Sequence, residues 1–364
     1  MRTWHDRRIL DLLEIEIPVI QAPMAGATTA EMVIAASEAG GLGSLPSAQY
    51  SAQQLHEALS QITARTAKSI NVNFFSHVTL AADPAGQMRW RALLAPYFVE
   101  LGLDPAAPIS GPGRAPFDNE FCEVVEEFRP KVVSFHFGLP HRRLVDRVKA
   151  AGAKVLSSAT TVAEAVWLEA HGVDAVIAMG FEAGGHRGNF LTHDMSTQVG
   201  TMALVPQVVD AVKVPVIAAG GIADGRGVAA ALMLGASAVQ IGTAYLLTPE
   251  AKIPDLHADA LRRAGDASTA ITNVFTGRPA RGVVNRLMRE LGPLSDVAPA
   301  FPTAGVALAA IRAKAEVEGR NDFTNLWAGQ AVALARRLSS AELTLKLFED
   351  AMAALDAGSA KGRI

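Results

Sequence analysis

Short apolar runs alternate with longer segments of helical periodicity between Pro18 and Leu247. An apolar run bounded by turn residues is typical of a buried strand, and apolar residues at every third or fourth position are typical of a helix. Repetition of this pair predicts consecutive βα units with a parallel sheet. The predicted strands are residues 19–24, 41–46, 69–75, 132–138, 154–160, 175–182, 215–221 and 238–244, and the predicted helices between them include 29–39, 52–64, 142–151, 162–171, 205–212 and 225–234.

Eight βα units favour an α/β protein in which the strands close into a (β/α)8 TIM-type barrel. Active sites in such barrels lie at the carboxyl ends of the strands. A doubly wound open sheet is the alternative, because closure is not visible in a sequence pattern.

Two segments do not fit the βα repeat. Residues 82–130 are too long for one connection and contain a Pro/Gly-rich piece, which indicates an excursion beside the third helix. Residues 248–330 follow the eighth strand and have helical patterns, which predict a mainly helical insertion or lid. The predicted domains are therefore a barrel formed by residues 1–247 and 331–364 and the insertion 248–330, with a last helix at 341–355 closing the barrel.

Composition narrows the class of partner. The 364 residues carry a net charge of −3 with both signs intermixed, which disfavours binding to nucleic acid or to an anionic membrane. The single cysteine, Cys122, excludes an intramolecular disulfide. The N-terminal segment lacks the pattern of a signal peptide, and no apolar run approaches the ~20 residues of a membrane span. We expect a cytoplasmic protein with a small-molecule ligand.

The ends of the first and third predicted strands carry residues suited to a flat ring. Pro23 and Met24 lie in Gln21-Ala-Pro-Met-Ala-Gly26, where small neighbours allow the backbone to approach a ligand closely. Asn73 would place an amide, which is both donor and acceptor, at the third strand end. Each motif alone fits an ordinary turn equally well.

The ends of the seventh and eighth predicted strands are rich in glycine. Gly220 and Gly221 follow one strand, and Gly242 and Thr243 follow the other. In barrels these two loops commonly form a phosphate site from backbone N–H groups. Neither a Gly-x-Gly-x-x-Gly motif after a strand nor a P-loop is present, which disfavours a Rossmann site or a nucleoside triphosphatase.

Two histidines lie at predicted strand ends. His186, in Glu182-Ala-Gly-Gly-His-Arg-Gly188, follows the sixth strand, and its imidazole suits proton transfer or hydrogen bonding to an anion. His136, in Ser134-Phe-His-Phe-Gly138, would face the same space. A lone histidine is more often structural, but the glycine-rich setting favours a functional His186. No metal-ligand spacing and no Gly-x-Ser-x-Gly motif occurs, so neither a catalytic metal nor a serine nucleophile is predicted.

Taken in order, these motifs resemble the nitronate monooxygenases, formerly called nitroalkane or 2-nitropropane dioxygenases. The resemblance covers about residues 15–250 and resumes at 276–281 and 326–330. It implies FMN held non-covalently at the barrel mouth, with nitronate and O2 as small-molecule reactants and a carbonyl compound and nitrite as products. It leaves a homodimer open.

The resemblance also implies roles for individual residues. His186 would be the catalytic histidine, and His136 would bind the nitro oxygens of the substrate. The residues implied to bind FMN are Ala22, Pro23, Met24, Asn73, Glu182, Gly184, Gly185, Gln207, Ala219, Gly220, Gly221, Gln240, Gly242 and Thr243.

Flavin-dependent enoyl-acyl carrier protein reductases and NADH:quinone reductases share several of these motifs. The alternative is therefore an NAD(P)H-dependent flavin reductase of an enoyl thioester or quinone. His136 favours the monooxygenase. One feature does not fit: we associate tyrosines with a nitronate pocket, and the chain's three tyrosines, Tyr50, Tyr97 and Tyr245, are not obvious counterparts of them. A non-catalytic barrel that binds a phosphorylated ligand is a third hypothesis.

Overall fold

A computed structural model describes residues 4, 6–79, 81, 83–107 and 114–361 of the chain. Its strands fall into two sheets, one of eight parallel strands and one of three antiparallel strands. In chain order the strands are β1 (Val19–Gln21), β2 (Gly43–Pro46), β3 (Ile70–Phe75), β4 (Val132–His136), β5 (Lys154–Ala159), β6 (Ala175–Met179), β7 (Gly185–His186), β8 (Val216–Ala219), β9 (Ala238–Ile241), β10 (Thr269–Thr272) and β11 (Ala280–Val283).

The parallel sheet has the order β1-β9-β8-β6-β5-β4-β3-β2. Its two edges meet, because the Gln21 amide donates to the Leu42 carbonyl at 2.9 Å and the Leu42 amide donates to the Val19 carbonyl at 3.0 Å. This closure confirms the predicted barrel, and the alternative of an open doubly wound sheet is wrong.

Most predicted strands extend past the observed ones at the barrel mouth. The Ala22 amide still donates to the Ile241 carbonyl of β9 at 2.8 Å, but beyond it the chain turns, because the Met24 carbonyl accepts from the amides of Ala27 and Thr28. Gly220 and Gly221 have φ of 111° and 70°, which strand residues do not adopt. The functional loops therefore begin inside the apolar runs that predicted the strands.

Helices cover the outside of the barrel and also occur in the insertion. No helix within the described part of the chain is long and apolar enough to cross a membrane. They are α1 (Arg8–Leu13), α2 (Ala30–Glu38), α3 (Ala52–Thr63), α4 (Pro84–Glu100), α5 (Asn119–Phe128), α6 (Arg142–Ala150), α7 (Val162–Ala170), α8 (Thr201–Ala211), α9 (Gly225–Met233), α10 (Asp255–Arg263), α11 (Arg286–Leu291), α12 (Ala304–Val317) and α13 (Ser340–Lys361).

The last helix, α13, packs between α9 and α2 and so covers the junction of the first and last βα units. Its apolar face buries Leu343, Leu347 and Phe348. The Tyr245 hydroxyl lies 2.7 Å from Thr344 Oγ1, both of them buried. A helix at 341–355 was predicted to close the barrel, and α13 has this position.

The insertion contains a β-hairpin that was not predicted. Strands β10 and β11 pair with each other, and β11 also pairs with β7. In that second pairing Ala280 lies opposite His186 and Arg281 lies opposite Gly185. The insertion is thus hydrogen-bonded to the segment that carries the candidate catalytic histidine.

A second apolar core joins the insertion to the 82–130 excursion. Helix α4 packs on α12, and α5 packs on α3 and α6. Trp90 of α4 is fully buried, and its indole N–H donates to the Ala304 carbonyl at 3.1 Å. The excursion therefore lies beside the third helix through α5, and its helix α4 supports the insertion.

Replacing Trp90 by alanine should destabilise this second core. We expect the free energy of unfolding to fall by about 3–5 kcal/mol, because a large ring and a buried hydrogen bond are lost together. Urea denaturation would measure it. Met88→Ala on the same helix is the control, since Met88 is 71 % exposed and should change stability by at most about 0.5 kcal/mol. Equal effects of both variants would contradict this account.

Candidate active site

A cavity of about 720 Å³ opens at the carboxyl ends of the barrel strands, beneath the insertion. Residues of the barrel and residues of the insertion both line the cavity, so the insertion forms part of its wall. The predicted site residues that line it are Ala22, Pro23, Met24, Asn73, His136, Gly184, Gly185, His186, Ala219, Gly220, Gly221, Gln240, Gly242 and Thr243.

His186 is buried in the cavity wall, on the two-residue strand β7. Its Nε2 lies 2.9 Å from Thr276 Oγ1, and no residue that the structure describes bonds its Nδ1. The rings of Phe301 and Trp327 both lie 5.4 Å from the imidazole, centroid to centroid. Thr276 therefore fixes the ring and leaves one nitrogen available to a ligand.

The pKa of His186 lies well below its ordinary value. Burial is the largest cause, and the positive charge of Arg114 is the next. At neutral pH the imidazole is uncharged, and it can accept a proton or a hydrogen bond from a bound molecule.

His136 has partners for both ring nitrogens. Its Nε2 lies 3.1 Å from the His186 carbonyl oxygen, and its Nδ1 lies 2.7 Å from Ser158 Oγ. A carbonyl only accepts, so Nε2 carries the proton and the serine hydroxyl donates to Nδ1 of the neutral ring. Burial lowers the pKa of His136 to about 3, which keeps the ring neutral. In this arrangement His136 supports the His186 backbone, and neither nitrogen is free for the nitro oxygens that sequence reasoning assigned to it.

A third histidine, His77, belongs to the same cluster and was missed by the sequence analysis. It follows β3 directly, is buried, and lies with its ring 4.9 Å from that of Phe301. Burial, together with the charge of Arg278, lowers its pKa to about 4. Its place after a predicted strand end was a usable signal.

The loop after β8 is closely packed at Gly220. Its φ of 111° is a conformation that other residues rarely adopt, and a Cβ there would lie 3.0 Å from the Thr201 hydroxyl and 3.1 Å from the Ala183 nitrogen, so the turn favours glycine. Gln240 lines the same part of the cavity, and its Oε1 is buried without a partner. An unpaired buried amide oxygen is costly, which favours a ligand that donates to it.

Two predicted cofactor ligands do not line the cavity. The Glu182 carboxylate accepts from the Thr201 amide at 2.9 and 3.0 Å and from its hydroxyl at 2.8 Å, so it holds the start of α8. Gln207 is exposed on α8, and its side chain donates to the Ala203 carbonyl at 2.7 Å. Gln207 lies more than one turn into α8, which explains why it is outside the cavity wall.

The comparison with family models matches residues 6–350 to the nitronate monooxygenase family. The chain belongs to the nitronate monooxygenase family. This confirms the family predicted from the motifs. A nitronate monooxygenase of Pseudomonas aeruginosa is 42 % identical over 94 % of this chain and 98 % of its own, and one of Paraburkholderia phytofirmans is 41 % identical over 94 % of each chain.

Two solved structures share the fold of this chain. A nitroalkane oxidase of Streptomyces ansochromogenes superposes with a TM-score of 0.87 at 36 % identity, covering 96 % of this chain and 99 % of its own. FabK of Thermotoga maritima has a TM-score of 0.74 at 28 % identity, covering 99 % of both chains. Members of the nitronate monooxygenase family are flavin-dependent oxidoreductases with small-molecule substrates.

Acid should destabilise the protein partly through His77. Its pKa is about 4 in the folded chain and 6.5 in the unfolded chain, so between these values the unfolded chain binds more protons and stability falls as the pH falls. His77→Gln should remove about 1–2 kcal/mol of the stability difference between about pH 7 and pH 5. Urea denaturation at both pH values measures this, with exposed His193→Gln as control. An unchanged pH difference in His77→Gln would contradict the assignment.

Proposed function

We propose that this protein is an FMN-dependent monooxygenase that uses O2 to convert alkyl nitronates, such as propionate 3-nitronate, to a carbonyl compound and nitrite. The observation that carries the proposal is His186, a buried neutral imidazole with a free nitrogen in the cavity of a nitronate monooxygenase family member.

The residues around the cavity fit FMN. Gly185 has φ of 74°, and a Cβ there would meet no atom within 4 Å, so the backbone faces open cavity on that side. The glycines after β8 and β9 suit a phosphate, and Gln240 Oε1 suits a ring N–H. We propose that these groups, with residues 22–24, Asn73 and Thr243, hold the cofactor. FMN when bound supplies the electron acceptor and the reaction with O2.

The protein residues position the substrate and exclude water. The Thr276 hydroxyl donates to the Arg278 carbonyl at 3.4 Å, so its oxygen accepts from Nε2–H of His186. In this tautomer the neutral His186 offers Nδ1 as acceptor for the proton of a nitroalkane or of a protonated nitronate. Phe75, Phe301 and Trp327 surround it with apolar surface, which strengthens any electrostatic interaction made there. His136 and Thr276 hold its backbone and its ring.

The likeness to FabK favours one alternative, NAD(P)H-dependent reduction of an enoyl thioester or quinone. Both proposals use the same barrel and cofactor, and they differ in what reduces the flavin. The reductant is therefore the property to test.

Mixing the purified flavoprotein anaerobically with propionate 3-nitronate should bleach the flavin absorbance, because electrons pass from nitronate to flavin. Admitting O2 should restore the absorbance and release nitrite. The control is NADH or NADPH under the same conditions, which should bleach the flavin slowly or not at all. Rapid bleaching by a nicotinamide nucleotide without bleaching by the nitronate would reject the monooxygenase and support the reductase.

Gly185→Ala should weaken FMN binding, since its methyl group would enter the space assigned to the cofactor. Gly172→Ala is a matched control: Gly172 also has a positive φ of 88° and open space around its Cβ, but it does not line the cavity. Both variants should lose about 1 kcal/mol of stability through backbone strain. Fluorescence titration with FMN should show at least about a tenfold weaker Kd for Gly185→Ala alone. Equal affinities in the two variants would argue against the placement of the cofactor.

A further inference from the structure

Arg114 presents a guanidinium to the cavity. It lines the wall and is half-buried, and its guanidinium carbon lies 5.9 Å from the centroid of the Phe301 ring. Among the residues that the structure describes, no carboxylate, carbonyl or hydroxyl bonds its guanidinium. Burial lowers its pKa from the ordinary arginine value, although it stays a cation at neutral pH.

The other buried arginines around the barrel mouth are supplied with acceptors. Arg187 donates to the carbonyls of Gly180 at 2.6 Å and Met179 at 2.9 Å. Arg281 donates twice to the Phe181 carbonyl, and Arg278 donates to the Asn189 carbonyl. Unlike these three arginines, Arg114 has no acceptor among the described residues. Its guanidinium therefore indicates a binding site for an anion.

A second cation lies on the same wall. Arg312 of α12 lines the cavity, and its side chain donates to the neutral amide oxygen of Asn325 at 3.0 Å. Its charge is the second cause, after burial, of the lowered pKa of Arg114, so the two guanidinium groups are within electrostatic reach. Glu316 also lines the cavity, but it accepts from the Thr324 hydroxyl at 2.8 Å and forms no ion pair with either arginine.

Arg114 lies towards the reacting end of the cavity. Its guanidinium carbon is 5.9 Å from the centroid of the Phe301 ring, and that ring is 5.4 Å from the His186 imidazole. Its positive charge also contributes to the lowered pKa of His186. A nitronate at His186 contributes one negative charge, and a carboxylate on the same molecule contributes a second. The second charge gives the Arg114 guanidinium the acceptor that it lacks among the described residues, whereas a simple alkyl nitronate has no group to offer it.

We propose that Arg114 is a specificity-determining residue that binds a carboxylate carried by the nitronate substrate, with Arg312 adding positive charge to the same wall. A guanidinium binds a carboxylate through two parallel N–H···O bonds, which a lysine ammonium does not reproduce. This inference rests on the proposed function for the identity of the reaction, and on Arg114 for the preference among substrates.

The test compares two nitronates of matched shape. Propionate 3-nitronate has a carboxylate where 3-methylbutyl-1-nitronate has an isopropyl group. Arg114→Met should lower kcat/KM for the carboxylated nitronate by about 10- to 150-fold, mainly through KM, the range expected for a charged hydrogen bond. It should change kcat/KM for the isopropyl nitronate by at most about threefold. Arg114→Lys should recover part of the loss.

A control variant and an unreactive pair of ligands separate the two proposals. Arg336→Met removes an exposed arginine outside the cavity and should leave both nitronates unaffected. Succinate mimics the dianion and 4-methylpentanoate mimics the monoanion, and neither needs to react. Succinate should raise the Tm of the wild-type flavoprotein more than 4-methylpentanoate does, and Arg114→Met should abolish this difference.

The two proposals can be separated. If neither nitronate is oxidised but the preference for succinate depends on Arg114, the proposed reaction is rejected and the anion site at Arg114 is supported. An equal loss of kcat/KM on both nitronates would overturn the inference, because Arg114 would then act on the nitronate group or on the fold. No change on either substrate would also overturn it. So would weaker flavin reduction by NADPH in Arg114→Met without any change on the carboxylated nitronate, because the anion would then be a nucleotide phosphate.

Discussion

The antiparallel pairing of β7 with β11 is the interaction on which the candidate site depends. It joins the Gly185–His186 strand after the sixth barrel strand to residues 280–281 of the insertion. The Arg187 amide extends the pairing by donating to the Pro279 carbonyl at 2.8 Å. The turn before β11 also supplies Thr276, which bonds the His186 ring. Since backbone and ring are both fixed by the insertion, the histidine can be ordered only when the insertion is folded against the barrel mouth.

Burial and positive charge act in the same direction on the cluster of histidines. For His77, His136 and His186, desolvation is the largest cause of a lowered pKa, and nearby arginines lower each pKa further. The imidazoles therefore stay neutral, while the guanidinium groups keep their charge. A site of neutral acceptors beside unneutralised cations favours anionic ligands, because an anion gains from the cations without meeting a charged histidine.

The sequence predicted the features that depend on local pattern. The barrel followed from eight apolar runs, and His186 followed from its glycine-rich position after one of them. The exposed position of Gln207 on α8 could not be foreseen, because a sequence motif does not show the direction in which a helix runs. The β10–β11 hairpin was missed because its two strands have only four residues each and are stabilised by a partner over 80 residues earlier in the chain. Arg114 could not be singled out from the sequence. What distinguishes it from the other arginines is that no described residue accepts from its guanidinium, and this is visible only in the folded structure.

Both ring nitrogens of His136 have protein partners in this structure, which points to a supporting role. Its position at the fourth strand end was predicted, and it does line the cavity. Direct binding of the substrate requires a free donor, yet its N–H is directed to the His186 carbonyl and its other nitrogen accepts from Ser158. Removing this imidazole would leave the His186 carbonyl without its donor, so its effect on turnover would pass through the position of His186. The hydrogen bonds therefore suggest different roles for these residues. His136 and Thr276 hold the backbone and the ring of His186, and His186 Nδ1 is left for the reactants.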